Sequence, residues 1–197
     1  DIDEGRIQYV LFKGDNATSD SFFFKVIDKD GRALENQPFQ LQWCWVSFLD
    51  DRIRGNETQE VIEVTVLRTG YLGHTSAVTL DITEGSASLG QDLSRQFMKQ
   101  VTFSPGQSER QWRVALRDDT IFEREETVTL HLTDPQGALL RDPRFATVAI
   151  HDPEDESSLY FLETRMVAME NDSVVDITVH RDGDLSNDLS VLCYTRN

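Results

Sequence analysis

The stretch that decides the fold is Glu126-Thr127-Val128-Thr129-Leu130-His131-Leu132-Thr133, in which an apolar residue occupies every second position from Val128 to Leu132. Successive side chains of a β-strand point to opposite faces, so this period of two predicts a strand with one buried and one exposed face. Its β-branched residues are also those that strands favour. No comparable helical period occurs elsewhere; residues 91–99 are compatible with at most a turn or two of helix.

The same alternation recurs on both sides of this stretch, and turn residues such as Ser104-Pro105-Gly106 separate the segments. The predicted strands are residues 45–53, 61–68, 76–83, 101–104, 110–117, 126–133 and 145–151. About 100 residues of short alternating strands are typical of an immunoglobulin-like antiparallel β-sandwich, which we favour over a closed barrel. The predicted fold class is therefore all-β, with a partial β-repeat on either side of the sandwich.

The chain contains an internal repeat. Val61–Gly70 aligns with Val174–Gly183, and the same shift places Glu57 on Glu170 and Leu72 on Leu185. We therefore predict three parts: 1–49 as the end of a different repeat, 50–157 as a complete first unit, and 158–197 as the beginning of a second unit. Because the chain opens at Asp1 without a start methionine or targeting pattern, we expect it to be a piece of a longer protein.

Composition excludes two function classes. The formal net charge of −16, from 19 basic and 35 acidic residues, argues against a nucleic-acid partner, which needs a basic surface. The richest apolar stretch, Trp43–Leu49, is far shorter than the roughly 20 residues that cross a bilayer.

Glycosylation sequons begin at Asn16, Asn56 and Asn171 and indicate a secreted glycoprotein.

Acidic residues concentrate in alternate loops of the predicted sandwich. The segments 50–60, 84–100, 118–126 and 152–156, here called the acidic end, hold 15 acidic residues. The segments 69–75, 105–109 and 134–144, here called the opposite end, hold 3. Because up-and-down strands carry successive loops to opposite ends, the acids of the first group are predicted to meet.

Carboxylates that meet in this way repel one another, by roughly 4 kcal/mol for a pair about 4 Å apart at an effective dielectric constant near 20. A bound cation would offset this repulsion, and oxygen ligands on loops suit calcium better than zinc, with magnesium as a further possibility. The predicted metal ligands are Glu57, Asp92, Asp118, Asp119, Ile121 (through its carbonyl oxygen), Glu123, Glu126 and Asp152, with Glu154 or Asp155 as spares. The alternative is that these acids form an ordinary solvated surface.

Several motifs resemble a known family. Arg68-Thr69-Gly70, Val101–Gly106, Asp118–Thr127 and Val148–Asp152 look like those of a Calx-beta domain. The resemblance implies an immunoglobulin-like sandwich that binds calcium at one end, and it places the same eight residues on ligand positions. Two departures exist: the stretch 50–55 is charged rather than aromatic-aliphatic, and Asp152-Pro153-Glu154 replaces three consecutive aspartates, which implies fewer or weaker ions.

The first 49 residues extend the resemblance. Asp3–Tyr9, Asp20–Asp28 and Pro38–Trp43 look like the end of a chondroitin-sulfate-proteoglycan-type (CSPG, cadherin-like) repeat. Such a repeat followed by tandem Calx-beta domains is similar to the Fras/Frem family of extracellular matrix proteins. The resemblance implies a secreted or single-pass membrane parent chain at basement membranes, with a role in cell adhesion. Its expected partners are calcium, neighbouring domains of the same chain and other matrix proteins.

Two other function classes are compatible with parts of the sequence. Asp118 and Glu126 could form a glycosidase pair, but acids crowded on short loops offer no evident substrate cleft, so we expect no enzyme. An intracellular calcium sensor of the sodium–calcium exchanger type is the alternative to a matrix module. The sequons and the preceding cadherin-like repeat argue against it.

Two cysteines cannot form a disulfide framework. Cys193 aligns with Leu80 in the repeat, so we expect it to be a buried free thiol, and we expect Cys44 not to pair with it. Trp112 alternates with Val114 and Leu116, which predicts a core position.

Overall fold

The computed structural model describes residues 9–10 and 17–196, and the regular elements in these residues are thirteen β-strands. Their bounds are β1 (Ser19–Ile27), β2 (Ala33–Gln42), β3 (Cys44–Phe48), β4 (Arg52–Asn56), β5 (Val61–Gly70), β6 (Ser76–Glu84), β7 (Gln100–Phe103), β8 (Glu109–Ala115), β9 (Glu126–Gln136), β10 (Leu139–Leu140), β11 (Phe145–His151), β12 (Ser158–Phe161) and β13 (Val179–Asp182). Within the described ranges, no helix has the length and hydropathy that a membrane span requires.

Two sheets form the sandwich. One has the strand order β10-β3-β5-β8, and the other has the order β4-β11-β9-β6-β7. The alternating apolar residues fill the space between them: Val128, Leu130 and Leu132 of β9 are at most 3% exposed. Trp112 is buried as predicted, and its indole N–H donates to the Met98 carbonyl at 2.7 Å. The all-β sandwich is therefore confirmed, and six of the seven predicted strands form close to their predicted bounds.

The prediction of one strand over 45–53 was wrong. The segment forms two strands, with β3 antiparallel to β5 in one sheet and β4 parallel to β11 in the other. Leu49, Asp50 and Asp51 between them are exposed, because the chain crosses here from one sheet to the other and the two aspartates keep their charges in solvent. This crossing also makes β4 run in the same direction as β11.

The opposite end is held by a buried arginine. Arg68 is 1% exposed, and it donates to the carbonyls of Leu72, His74, Ser104 and Gln107 and to the Ser76 hydroxyl at 2.8–3.2 Å. The four carbonyls lie on the connections between β5 and β6 and between β7 and β8, and Ser76 is the first residue of β6. One side chain therefore holds two loops in place by donating hydrogen bonds to uncharged acceptors.

Two antiparallel strand pairs flank the sandwich. β1 pairs with β2 before it, and β12 pairs with β13 after it. Only Val179–Asp182 of the repeated stretch 174–183 is a strand, and Val174 and Ile177 are 75% and 62% exposed. In the described residues, the second copy of the repeat therefore forms only a two-stranded sheet, whereas the first copy is part of a sandwich of two larger sheets.

The cysteines are both free, but Cys193 is exposed, so the prediction of a buried thiol was wrong. Its counterpart Leu80 is fully buried between two sheets, whereas no second sheet covers the β12–β13 pair in the described part of the chain. Cys44 is buried, and its thiol lies 3.3 Å from the Gly137 carbonyl. Residues 91–99 form turns around Gln91 and no helix.

Candidate metal centre

Three carboxylates converge where β9 begins. Glu126 is the first residue of β9, Glu123 lies in the loop before it, and Asp92 lies in the connection between β6 and β7. One carboxylate oxygen from each of the three lies within 4.8 Å of the others. Asp92 is held from one side, because its Oδ2 accepts from the Ser88 N–H at 2.7 Å and from the Ser88 hydroxyl at 3.2 Å.

Glu57 and Asp152 lie side by side because β4 is parallel to β11. The last paired residues are Asn56 and His151, so the next residue of each strand leaves the sheet at the same edge. The Glu57 N–H donates to the His151 carbonyl at 2.8 Å. The two carboxylate residues are only 6% and 5% exposed.

Glu123 joins these two groups. Its backbone N–H donates to Asp152 Oδ2 at 3.0 Å, and its carboxylate interacts electrostatically with Asp92, Asp119 and Asp152. The acidic end therefore holds one connected set of carboxylates rather than two separate clusters.

Asp118 and Asp119 complete the set from the loop after β8. Both are exposed, and both act electrostatically on Glu57. The Ile121 N–H donates to Asp119 Oδ1 at 2.7 Å, which closes a tight turn, and the Ile121 side chain is 49% exposed. The structure thus brings the seven predicted carboxylates to one end of the sandwich. Their role as ligands, and that of the Ile121 carbonyl, stays a prediction.

The electrostatics of this set are unfavourable without a cation. Burial, and then the charges of Asp152, Glu123, Asp119 and Asp118, raise the pKa of Glu57 to about 7. Burial, then Asp92 and Glu123, raise the pKa of Glu126 to about 7. Burial and neighbouring carboxylates also raise the pKa of Glu123. These glutamates are therefore hard to ionise together, which is the expected result of like charges sharing a site.

The donor set fits a hard cation. Every candidate side chain in the set offers carboxylate oxygen, and the histidine at this end, His151, instead faces Glu125 at 3.1 Å. Oxygen-only donors at loops are the ligands that calcium takes in proteins, whereas zinc favours nitrogen and sulfur. The chemistry of the residues present therefore suits Ca²⁺.

Sequence reasoning missed one residue at this end. Asp184, from the second unit, is 4% exposed, and its carboxylate accepts hydrogen bonds from the Ser186 N–H at 2.7 Å and from Asn187 Nδ2 at 3.4 Å. The hydrogen bonds from Ser186, and to a smaller extent the backbone N–H of Phe122, lower the pKa of Asp184. Its position in the repeat corresponds to Tyr71, so the alignment of the two units gives no signal for an acid there. Asp155, named only as a spare, lies close enough to Asp152 and Asp184 for their charges to raise its pKa, although burial is the larger cause.

Comparison with known proteins agrees with this fold. The Calx-beta domain family matches residues 42–154 and again 152–197. FRAS1-related extracellular matrix protein 2 of Homo sapiens is 39% identical over 196 residues, which cover 100% of this chain and 6% of that protein. Extracellular matrix protein 3 of Lytechinus variegatus is 37% identical over 196 residues, which cover 99% of this chain and 6% of that protein.

Among solved structures, the calcium binding domain CBD12 of CALX1.1 is similar, with a TM-score of 0.52 and 30% identity over 54% of this chain and 44% of that one. The chain spans about 6% of the length of the curated relatives that it matches. Family match, matrix relatives and sandwich fold agree, and the chain belongs to the Calx-beta family, in the form found in extracellular matrix proteins of the Fras/Frem type.

Proposed function

We propose that the chain is a non-enzymatic, calcium-binding structural module of a large matrix protein at basement membranes, where it supports cell adhesion and epithelial integrity. The observation that carries the proposal is the convergence of seven carboxylates, remote in sequence, at one end of the sandwich. A structure without a cation leaves the repulsion among them uncompensated. Calcium binding supplies that compensation.

The proposed ligands divide by their positions. Asp92, Glu123 and Glu126 form the most compact group, and Glu57 and Asp152 are the most buried pair. The exposed loop after β8 would complete the set of ligands with Asp118, Asp119 and the Ile121 carbonyl. Because Pro153 interrupts the acidic exit after β11, we expect weak binding, with a Kd on the order of 10⁻⁴–10⁻³ M as in extracellular modules.

Calcium would act mechanically in this proposal. The acidic end is also where the chain leaves β11 and enters the second unit, whose first strand begins at Ser158. A cation among the loops would neutralise them and stiffen the junction between the two units. Small-angle scattering of the chain with and without calcium measures this effect, and an unchanged scattering profile contradicts the stiffening.

We also propose that the chain consists of the three predicted parts. Residues 1–49 would be the end of a CSPG-type repeat, 50–157 the first Calx-beta domain and 158–197 the beginning of the second. Of the three sequons, Asn171 is exposed, whereas Asn56 donates to Glu154 at 2.7 Å and Asn16 lies outside the described residues. Asn171 is therefore the better candidate for a glycan.

The test is a calorimetric titration of the metal-free 197-residue chain with Ca²⁺. We expect heat of binding with a Kd on the order of 10⁻⁴–10⁻³ M. The double variant Asp118→Asn/Asp119→Asn should lose it. The matched control, Asp134→Asn/Asp142→Asn, makes the same change of charge at the opposite end and should bind like the unchanged chain.

Three outcomes contradict the proposal. No binding heat, or equal loss in the test and control variants, would mean that the acids are a solvated surface. Binding at micromolar calcium or below would instead favour the alternative, an intracellular sensor of the exchanger type. That alternative is worth testing because the solved structure compared above is a calcium binding domain.

A further inference from the structure

A groove lies along the outer edge of β8. In the part of the chain that the structure describes, β8 is the last strand of its sheet, and the segment 92–98 runs beside its free edge. The Ser94 N–H donates to the Ala115 carbonyl at 2.8 Å. The Arg117 N–H donates to the Asp92 carbonyl at 2.9 Å. The space between this segment and the end of β8 is an open groove of about 560 Å³, a volume in the range that ligand sites occupy.

Two arginine side chains are fixed in this groove by successive carbonyls. Arg95 Nε donates to the Leu89 carbonyl at 2.9 Å, and Arg117 Nη1 donates to the Gly90 carbonyl at 2.7 Å. Gly90 has φ +102°, and a Cβ atom there would lie 2.6 Å from Arg95 Nε, so a glycine lets Arg95 reach this turn. Each guanidinium has five N–H donors, and both side chains are exposed. Most of their donors therefore remain available to a ligand.

A second groove continues the first along β8. The two grooves share Gln96, and the second contains Arg113. Because Leu116 is buried, the alternation of β8 extends to Arg117, which places Arg113 and Arg117 on the same side, roughly 13 Å apart at 3.3 Å per residue. Arg113 pairs with Glu63 at 2.6 Å, but both side chains are exposed, so a stronger anionic partner can replace this ion pair. Among the described residues, no acid lines either groove.

We propose that these two grooves, together called the arginine groove, bind a sulfated polysaccharide chain of the extracellular matrix. Guanidinium groups form paired, charge-assisted hydrogen bonds with oxyanions, and charges in a row suit a polymer that carries anionic groups at intervals. The Ser94 hydroxyl and the Gln96 amide, which also line the groove, can bond to sugar hydroxyls.

Two further observations favour this occupant. The relatives of the chain are extracellular matrix proteins, so the proposed ligand belongs to the surroundings in which such proteins lie. The net charge of −16 repels an anionic polymer from most of the surface, which confines its contact to the arginine groove. This inference is independent of calcium binding at the acidic end.

Isothermal titration of the 197-residue chain with a heparin oligosaccharide, at low ionic strength and with a chelator, tests the proposal. We expect binding that a desulfated oligosaccharide of the same length does not show. Arg95→Gln/Arg117→Gln should raise the Kd about tenfold, because it removes two charged donors. The matched control is Arg141→Gln/Arg144→Gln, which makes the same change of charge at exposed positions of the opposite end and should bind like the unchanged chain.

A second variant leaves both arginines in place, because they also hold the turn at Leu89 and Gly90. Gln96→Glu puts an acid where the two grooves meet and should weaken binding, whereas Gln136→Glu, exposed at the opposite end, should not. Equal affinities of Gln96→Glu and Gln136→Glu overturn the proposal, as does the absence of binding to the heparin oligosaccharide.

A polyglutamate peptide is the last probe. Tighter binding of this peptide than of the heparin oligosaccharide would also overturn the proposal, since it would indicate an acidic protein segment as the occupant. Because the buffer holds no calcium, a failed calcium titration would leave the result for the arginine groove standing.

Discussion

At the scale of single residues, Glu57 is one of two glutamates in the candidate site whose pKa is raised to about 7 without metal. It is 6% exposed, and the groups that act on it are the carboxylates of Asp152, Glu123, Asp119 and Asp118. A buried carboxylate normally needs a cationic partner or several donors. The burial of Glu57 is therefore what a bound cation at this site would stabilise.

Glu57→Gln should stabilise the metal-free chain and weaken its response to calcium. The amide keeps the shape of the side chain but removes one of the repelling charges. We expect the metal-free Tm to rise by about 2–4 °C, equivalent to about 1 kcal/mol for a chain of this size. Thermal unfolding followed by circular dichroism, with chelator and then with calcium, measures both effects.

Glu63→Gln is the control for this change, because Glu63 pairs with Arg113 on an exposed surface away from the acidic end. It should leave the calcium-dependent rise in Tm unchanged. A Glu57→Gln variant with a lower metal-free Tm and a full calcium response would show that Glu57 has a structural role and is not a ligand.

At the scale of elements, the two ends of the sandwich are built by opposite means. The acidic end gathers charge from the segments after β4, β6, β8 and β11, whereas the opposite end is joined by Arg68 through neutral acceptors. The planar guanidinium offers five donors in a fixed arrangement, which a lysine ammonium cannot reproduce. Two of the loops at the opposite end, those between β5 and β6 and between β7 and β8, therefore depend on one side chain.

Arg68→Lys should destabilise the chain despite conserving the charge. The lysine would leave several buried carbonyls without a donor, and we expect a loss of about 2 kcal/mol in the free energy of unfolding. Urea unfolding in the presence of chelator measures it as a lower midpoint. Arg113→Lys, at an exposed ion pair, is the control and should change the midpoint little. Equal midpoints for the two variants would show that the hydrogen bonds of the Arg68 guanidinium contribute nothing measurable to the free energy of unfolding.

The sequence predicted the sandwich because alternation and turn residues are local signals. It also predicted that Glu57, Asp92, Asp118 and Asp152 share one end, because that follows from strand order alone. The crossing between β3 and β4 was not predictable, since the charged stretch 50–55 has no alternation. The exposure of Cys193 and the burial of Asp184 depend on which surfaces meet, and neither is encoded in a local pattern.

At the scale of the whole molecule, the net charge of −16 is unevenly distributed, so pH should act mainly through the acidic end. The folded pKa of Glu57 and of Glu126 is about 7, above the ordinary value of 4.5. Between these values the folded chain binds more protons than the unfolded chain. Stability is therefore highest below about pH 4.5 for these two groups and is lost as pH rises through about 7.

The metal-free chain should consequently become less stable from pH 5 to pH 8, by on the order of 2 kcal/mol in the free energy of unfolding. Urea midpoints at intervals of one pH unit measure the slope. Saturating calcium should restore most of the stability at pH 8, because it binds the ionised form. The variant Glu57→Gln/Glu126→Gln serves as the control and should show a flatter dependence. A metal-free midpoint that is constant or rises over this range would contradict the convergence of ionisable glutamates on which the calcium site depends.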